Sequence, residues 1–127
     1  MKKLIMILVA LFCATNIFAF DFITTDFYVR DKVGQEWTEW ESGKSSMWGS
    51  FDNGILIIYS PVIQKYSIYR SGERYIDLDG NKVVGFNVID QDNNKSIIKF
   101  IFNYETLGIR IHIIYDNRQW MYNIITL

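Results

Sequence analysis

The residue types that can do chemistry are few in this chain and poorly grouped. His112 is the only histidine and Cys13 the only cysteine. A Ser-His-Asp or Cys-His nucleophile would have to be built on His112, and Cys13 lies in the apolar opening stretch, away from the body of the chain. One imidazole and no further thiolate leave a zinc-type site short of ligands. Glu39 and Glu41 share a strand face, but glycosidase-type acid/base work needs two carboxylates facing each other across a cleft, and at this spacing the pair reads as a solvated surface. Asp77-Leu78-Asp79-Gly80-Asn81 and Asp90-Gln91-Asp92-Asn93-Asn94 place oxygen atoms at alternate positions, as calcium loops do. Neither run ends in the bidentate glutamate that such a loop uses. The strand between them, at about 3.3 Å per residue, holds them more than about 20 Å apart, so they cannot pool ligands. Both runs read as hairpin turns. The expectation is a non-enzyme with no catalytic residues, no cofactor and no metal.

Aromatic side chains are the chain's other resource. Trp37, Trp40 and Trp48 fall close together in sequence. Trp37 and Trp40 are three apart, so in a regular strand they face opposite sides of the sheet. One of them can then seal the core, and the other is either folded under a bulge or exposed as a platform for a sugar, a lipid or a partner protein. All three are candidate contact residues.

The elements that must carry these side chains are strands. Ile109, Ile111, Ile113 and Tyr115 alternate with Arg110 and His112, which places His112 on the wetter face. Ile98, Phe100, Phe102 and Tyr104 alternate with Lys99 and Asn103, and Val84, Phe86 and Val88 with Gly85 and Asn87. Trp120, Tyr122 and Ile124 alternate with Met121 and Asn123. Successive strand side chains point to opposite faces, so each apolar stripe predicts a core face. Asp52-Asn53-Gly54, Asp79-Gly80-Asn81, Asp92-Asn93-Asn94 and Asp116-Asn117-Arg118 supply turns between them. Connections this short force neighbouring strands to be antiparallel. The pattern predicts strands over 22–31, 36–41, 46–52, 54–60, 62–70, 74–78, 82–90, 95–104, 107–115 and 118–126, with Pro61 breaking the ladder between the fourth and fifth. No stretch carries a helical stripe. The fold class is therefore all-β, a meander of about eight to ten short strands. It closes as a small up-and-down barrel of the calycin or lipocalin kind, or packs as a two-layer sandwich.

Residues 1–19 have the order of parts of a secretory signal: Lys2 and Lys3, an apolar run from Leu4 to Ala14, then Ile17-Phe18-Ala19. The run is too short to span a bilayer, which takes roughly 20 apolar residues. Cleavage is expected after Ala19; Phe12 stands where a lipoprotein signal wants a small residue before Cys13. The remaining 20–127 form one domain, exported to the periplasm or beyond. They hold no cysteine and hence no disulfide. Without Lys2 and Lys3, 11 basic residues face 14 acidic ones. A negative domain without a basic patch argues against nucleic acid as a partner. A membrane barrel is not expected either: eight strands of about 9 to 11 residues would leave little chain for loops, and Trp37 to Phe51 is too polar for a lipid face.

Two resemblances add to this reading. Trp37-Thr38-Glu39-Trp40-Glu41, Asp77-Leu78-Asp79-Gly80 and Gln119-Trp120-Met121-Tyr122-Asn123-Ile124 resemble a group of small exported β proteins of Bacteroidota and their phages, which have no established function. Ser71-Gly72-Glu73-Arg74-Tyr75 resembles the Ser-Gly-x-x-Tyr loop of periplasmic C-type lysozyme inhibitors, themselves small exported β-barrels. That likeness implies an inserting loop bearing Ser71, Arg74 and Tyr75. The chain lacks that family's cysteines and its second, lysine-bearing segment, and it also lacks the Gly-x-Trp signature of lipocalins. The function expected is a binding module for a small apolar molecule, a glycan or a protein; the alternative is an inhibitor or host-interaction factor acting through loops.

Overall fold

The structure, a computed structural model, describes residues 19–127. The expected leader lies outside the described residues except for Ala19. Ten strands follow in order: β1 (Phe20–Val33), β2 (Glu36–Trp37), β3 (Glu41–Lys44), β4 (Trp48–Asp52), β5 (Ile55–Ile58), β6 (Gln64–Ile76), β7 (Lys82–Asp90), β8 (Lys95–Asn103), β9 (Gly108–Ile114) and β10 (Arg118–Thr126). Eight of them, β1 and β4 to β10, pair antiparallel in a ring that β1 closes onto β10, while β2 and β3 lie along the far half of β1. The chain is thus a closed barrel rather than a sandwich. Closure satisfies strand edges that two separate sheets would leave open.

The alternating stripes find the core. Val84, Phe86, Val88, Ile98, Phe100, Phe102, Ile109, Ile111, Ile113, Tyr122 and Ile124 are all buried inside. Phe100 sits among the rings of Phe51, Phe86 and Phe20, with centroids 5.5, 6.0 and 6.4 Å away. The space among Phe51, Leu56, Ile68, Phe86, Val88, Ile98 and Phe100 has no room for a water molecule. A barrel this narrow is filled by its own side chains.

Besides shifts of one or two residues at other strand ends, three boundaries differ from the sequence expectation for a local reason. The strands expected over 62–70 and 74–78 are one strand, β6, interrupted by bulges at Ile68/Arg70 and Ser71/Arg74. Glycine at 72 suggests a turn but serves a close approach instead: a Cβ there would lie 3.0 Å from the Gly85 carbonyl, so the bulge folds onto β7 only because both residues lack side chains. The strand expected over 36–41 divides into β2 and β3, because residues 38–40 leave the ladder. That expected over 46–52 begins at Trp48, since Met47 and Thr24 are tied by N–H bonds of 2.9 Å to the Thr24 hydroxyl and to the Met47 carbonyl. Asn53 and Gly54, both at positive φ, make the tight reversal between β4 and β5.

A bulge between Thr24 and Asp26 sets the stage for the outer surface. Before it, Phe20, Phe22 and Thr24 point inward. After it, Phe27 packs on the core, while Asp26, Tyr28 and Arg30 align with the outward Asn123, Met121 and Gln119 of β10.

Candidate functional site

The barrel mouth near the start of β6 is sealed from within. Tyr66 donates its hydroxyl hydrogen to Gln64 Oε1 (2.8 Å), Trp120 Nε1 donates to the same oxygen (3.3 Å), and Gln64 Nε2 donates to the Tyr122 hydroxyl (3.0 Å). Tyr115 stacks on Trp120 with centroids 5.4 Å apart and donates to Asp90 Oδ2 (2.6 Å). Burial pushes Tyr66 far above the usual tyrosine range and, with the Asp90 carboxylate, raises Tyr115 to about 12. These phenols stay protonated and donate inward. Their polar tips are occupied by one another, so the mouth is a plug, not a cup.

On the outside, residues 38–40 lap over β1 and β10. The Arg30 guanidinium lies 4.4 Å from the Trp40 ring and 5.0 Å from the Trp37 ring, and its Nη2 and Nε donate to Gln119 Oε1 at 2.9 and 3.2 Å. That same oxygen lies 3.2 Å from His112 Nε2, which places the imidazole proton on Nε2. The Trp40 ring meets His112 edge-on, with centroids 6.0 Å apart. Burial, together with the neighbouring cations Lys99, Arg30 and Arg110, lowers the His112 pKa to about 4, although the Gln119 bond pulls the other way. The expectations for these residues need correcting. Neither Trp37 nor Trp40 plugs the core: Trp37 lies on β2, which pairs only with the far end of β1, and Trp40 has left the ladder, so strand parity does not govern it. His112 does face outward, and Trp40, edge-on to its ring, leaves it half-buried rather than open to solvent. Held neutral, with its Nε2 proton given to the Gln119 amide oxygen, it keeps its basic lone pair on Nδ1, and burial makes that nitrogen a weak base.

Beside this cluster the surface groups are spent on one another. Lys44 pairs with Asp26 at 2.8 Å, Asn123 donates to Asp26 at 3.3 Å, and Arg110 donates to Asn123 at 3.0 Å. Asp26, Arg110 and Asn123 border an open cleft of about 430 Å³ that Asn103 and Ile101 also line. The two aspartate-rich runs are likewise consumed as turns. Asp77 Oδ1 accepts the amides of Asp79 and Asn81, and Asp90 Oδ1 those of Asp92 and Asn94, all at 2.9 Å. Glu39 lies outside any strand, so it does not share a strand face with Glu41.

Trp48 differs from the other two candidate tryptophans. It is 58% exposed and sits on β4, facing outward. Its cross-strand partner on β1 is Ile23, whose partner on β10 is Ile125. On the other side its carbonyl accepts the N–H of Tyr59 at 2.8 Å. Tyr59–Trp48–Ile23–Ile125 is therefore one transverse apolar row, in which Tyr59 is 51% and Ile125 58% exposed. Exposed Val62 and Ile63 follow Tyr59 in the adjoining loop. Tyr59 and Ile125 were not singled out from sequence; for Ile125 the signal was an isoleucine at an outward position directly after inward Ile124.

Ser71, Arg74 and Tyr75 are exposed, but in β6 rather than in a loop. Lys99 Nζ donates to the Tyr75 hydroxyl at 3.0 Å and lies over its ring. Gly72, Glu73, Gly85, Asn87, Ile97 and Lys99 line a depression of about 160 Å³ over the paired glycines. The candidate residues thus separate into three places: Trp37 with Trp40, Trp48 by itself, and Ser71 with Arg74 and Tyr75.

No protein family, curated protein or solved structure matches the chain.

Proposed function

We propose that this protein is an exported, non-enzymatic binding barrel that recognises a partner protein on its outer surface, at the row of Tyr59, Trp48, Ile23 and Ile125. The observation that carries the reading is the exposure of Trp48 within an unbroken apolar row on a barrel whose interior is packed. Exposed contiguous apolar surface is disfavoured in water unless something covers it in use, and a rigid tryptophan flanked by a tyrosine is a frequent interface anchor. The packed phenylalanines and the internally bonded mouth count against a small apolar ligand held inside. Photo-cross-linking tests it: a benzophenone amino acid is placed at position 48 and, as a control, at the exposed Glu105, and the full-length chain is expressed in its own host. A discrete protein adduct is expected at position 48, absent at 105 and suppressed by excess wild-type protein but not by Trp48→Ala. No adduct, or the same adducts at both positions, counts against the proposal.

A second reading has a specific observation in its favour. Ser71, Arg74 and Tyr75 project from one exposed segment, with Lys99 bound to Tyr75. An inhibitor of the C-type lysozyme kind would use such residues, here from a bulged strand. A lysozyme assay with purified protein decides it; no inhibition at micromolar excess rejects it.

A further inference from the structure

The open cleft of about 430 Å³ beside Asp26 is built where several strands end. Asn103 closes β8 opposite Gly108, which opens β9. Asn81 and Thr106 reach the cleft from the adjoining loops, and Asp26 from β1 just after its bulge. The loop between β8 and β9 is held by its own bonds. Asn103 Oδ1 accepts the N–H groups of Glu105 and Thr106 at 2.9 and 3.1 Å, and Thr106 Oγ1 accepts that of Gly108 at 3.2 Å. A Cβ at position 108 would stand 3.1 Å from that same Oγ1, so glycine admits the hydroxyl. Leu107 takes a φ of 57°, a conformation that persists in a leucine only where its surroundings fix it.

What the lining groups have left, among the described residues, is mostly donors. Asn103 engages its oxygen in the loop and has no acceptor for its Nδ2. Thr106 accepts a bond but gives none with its hydroxyl hydrogen. Arg110 gives its Nε to Asn123 Oδ1 at 3.0 Å, and neither of its Nη groups is engaged. The Tyr28 ring, 5.5 Å from the guanidinium carbon, holds it from a second side. Asn81 gives its Nδ2 to Asp77 at 3.2 Å and has one open acceptor, its Oδ1. No carboxylate among the described residues pairs with Arg110, and the Asp26 carboxylate on the rim is met by Lys44 at 2.8 Å. Lys99, opposite His112 on the neighbouring strand, is bonded to the Tyr75 phenol and adds positive charge to the same wall.

We propose that this cleft binds a sugar acid, whose carboxylate takes both Nη groups of Arg110 while its ring hydroxyls take Asn103 Nδ2, the Thr106 hydroxyl and Asn81 Oδ1. The two Nη groups form the planar fork that matches the two oxygens of a carboxylate. Hydroxyls give and accept, which suits two amides of opposite available polarity. A simple anion would leave those amides idle, and a neutral sugar would leave the guanidinium without its counter-charge. The volume lies within the ~300–1,000 Å³ of small-molecule sites, and groups already fixed lose little freedom on binding. This goes beyond the proposed partner at Trp48, which does not line the cleft, and neither requires the other.

Proton–nitrogen NMR of the purified protein, after expression of the full-length chain, tests the site. The probes are the methyl glycosides of galacturonate, glucuronate and N-acetylneuraminate, the carboxyl methyl ester of each, and acetate. At least one acid should shift the amides of Asn81, Asn103, Thr106 and Arg110, saturating with a dissociation constant on the order of 1 mM. Its ester and acetate should each bind about tenfold more weakly. Arg110→Gln and Asn103→Asp should each lose about tenfold in affinity. The aspartate keeps the oxygen that holds the loop, so the rest of its spectrum should match wild type. No shift of these amides with any of the three acids at about 20 mM overturns the proposal. So do an ester or acetate that binds as tightly as its acid, and binding indifferent to both variants.

Discussion

The guanidinium carbon of Arg30 lies 4.4 Å from the ring centroid of Trp40, and this contact holds residues 38–40 down against the outside of the barrel. Arg30 also gives both hydrogen bonds that satisfy the buried Gln119 carbonyl oxygen from β1. Removing it leaves that oxygen to His112 alone and uncovers two indole faces.

Arg30→Ala should therefore destabilise the fold by about 2–3 kcal/mol, from lost cation–π contact and lost charge-assisted hydrogen bonds. Arg30→Lys should recover less than half, since an ammonium cannot stack flat and fork toward Gln119 together. Urea unfolding measures both, and the tryptophan emission of the folded variants should shift to the red.

His112 makes stability depend on pH. Its folded pKa, lowered to about 4, lies below its ordinary value of 6.5, so the unfolded chain binds the extra proton first. Its contribution is whole above pH 6.5 and is lost as pH falls toward 4. At pH 5 the loss should be about 2 kcal/mol relative to pH 7.5. Denaturant melts of wild type and His112→Gln at the two pH values check this. The variant should lose much less over that interval, in which most carboxylates remain ionised.

Phe100→Ala should cost about 3–5 kcal/mol, as large-to-small changes in a rigid core do. Three phenylalanine rings surround the vacated space, so a dry cavity should remain that takes benzene, raising the melting temperature of the variant and not of wild type.

Gly49 faces the Phe22 ring so closely that a Cβ at position 49 would overlap it. Both residues are buried, and Phe22 has nowhere to move. Gly49→Ala should destabilise by about 2–4 kcal/mol, near the upper end for an overpacked core. Trp48→Ala, one residue away but exposed, should stay within about 0.5 kcal/mol of wild type. Parallel thermal melts separate the two.

The core was legible in the sequence because strand side chains alternate, and Ile109, Ile111 and Ile113 needed nothing more. The phase change at Thr25 was not legible, since a bulge adds a residue without any required residue type. Gly72 was ambiguous in principle: glycine serves a turn and a close approach alike, and only Gly85, across the ladder, tells them apart. The partial shielding of His112 comes from Trp40, some seventy residues earlier in the chain, which no local pattern records. Trp48 could be named as a contact candidate, but its difference from Trp37 and Trp40 came from which strands its neighbours joined.

The most direct test of an outward-acting, filled barrel is native mass spectrometry of the protein recovered gently from its own host. The account predicts the bare polypeptide mass for each barrel, with no small molecule retained, and a heavier complex with another protein that disappears for Trp48→Ala. A stoichiometric apolar small molecule carried by wild type, and carried equally by Trp48→Ala, would contradict it.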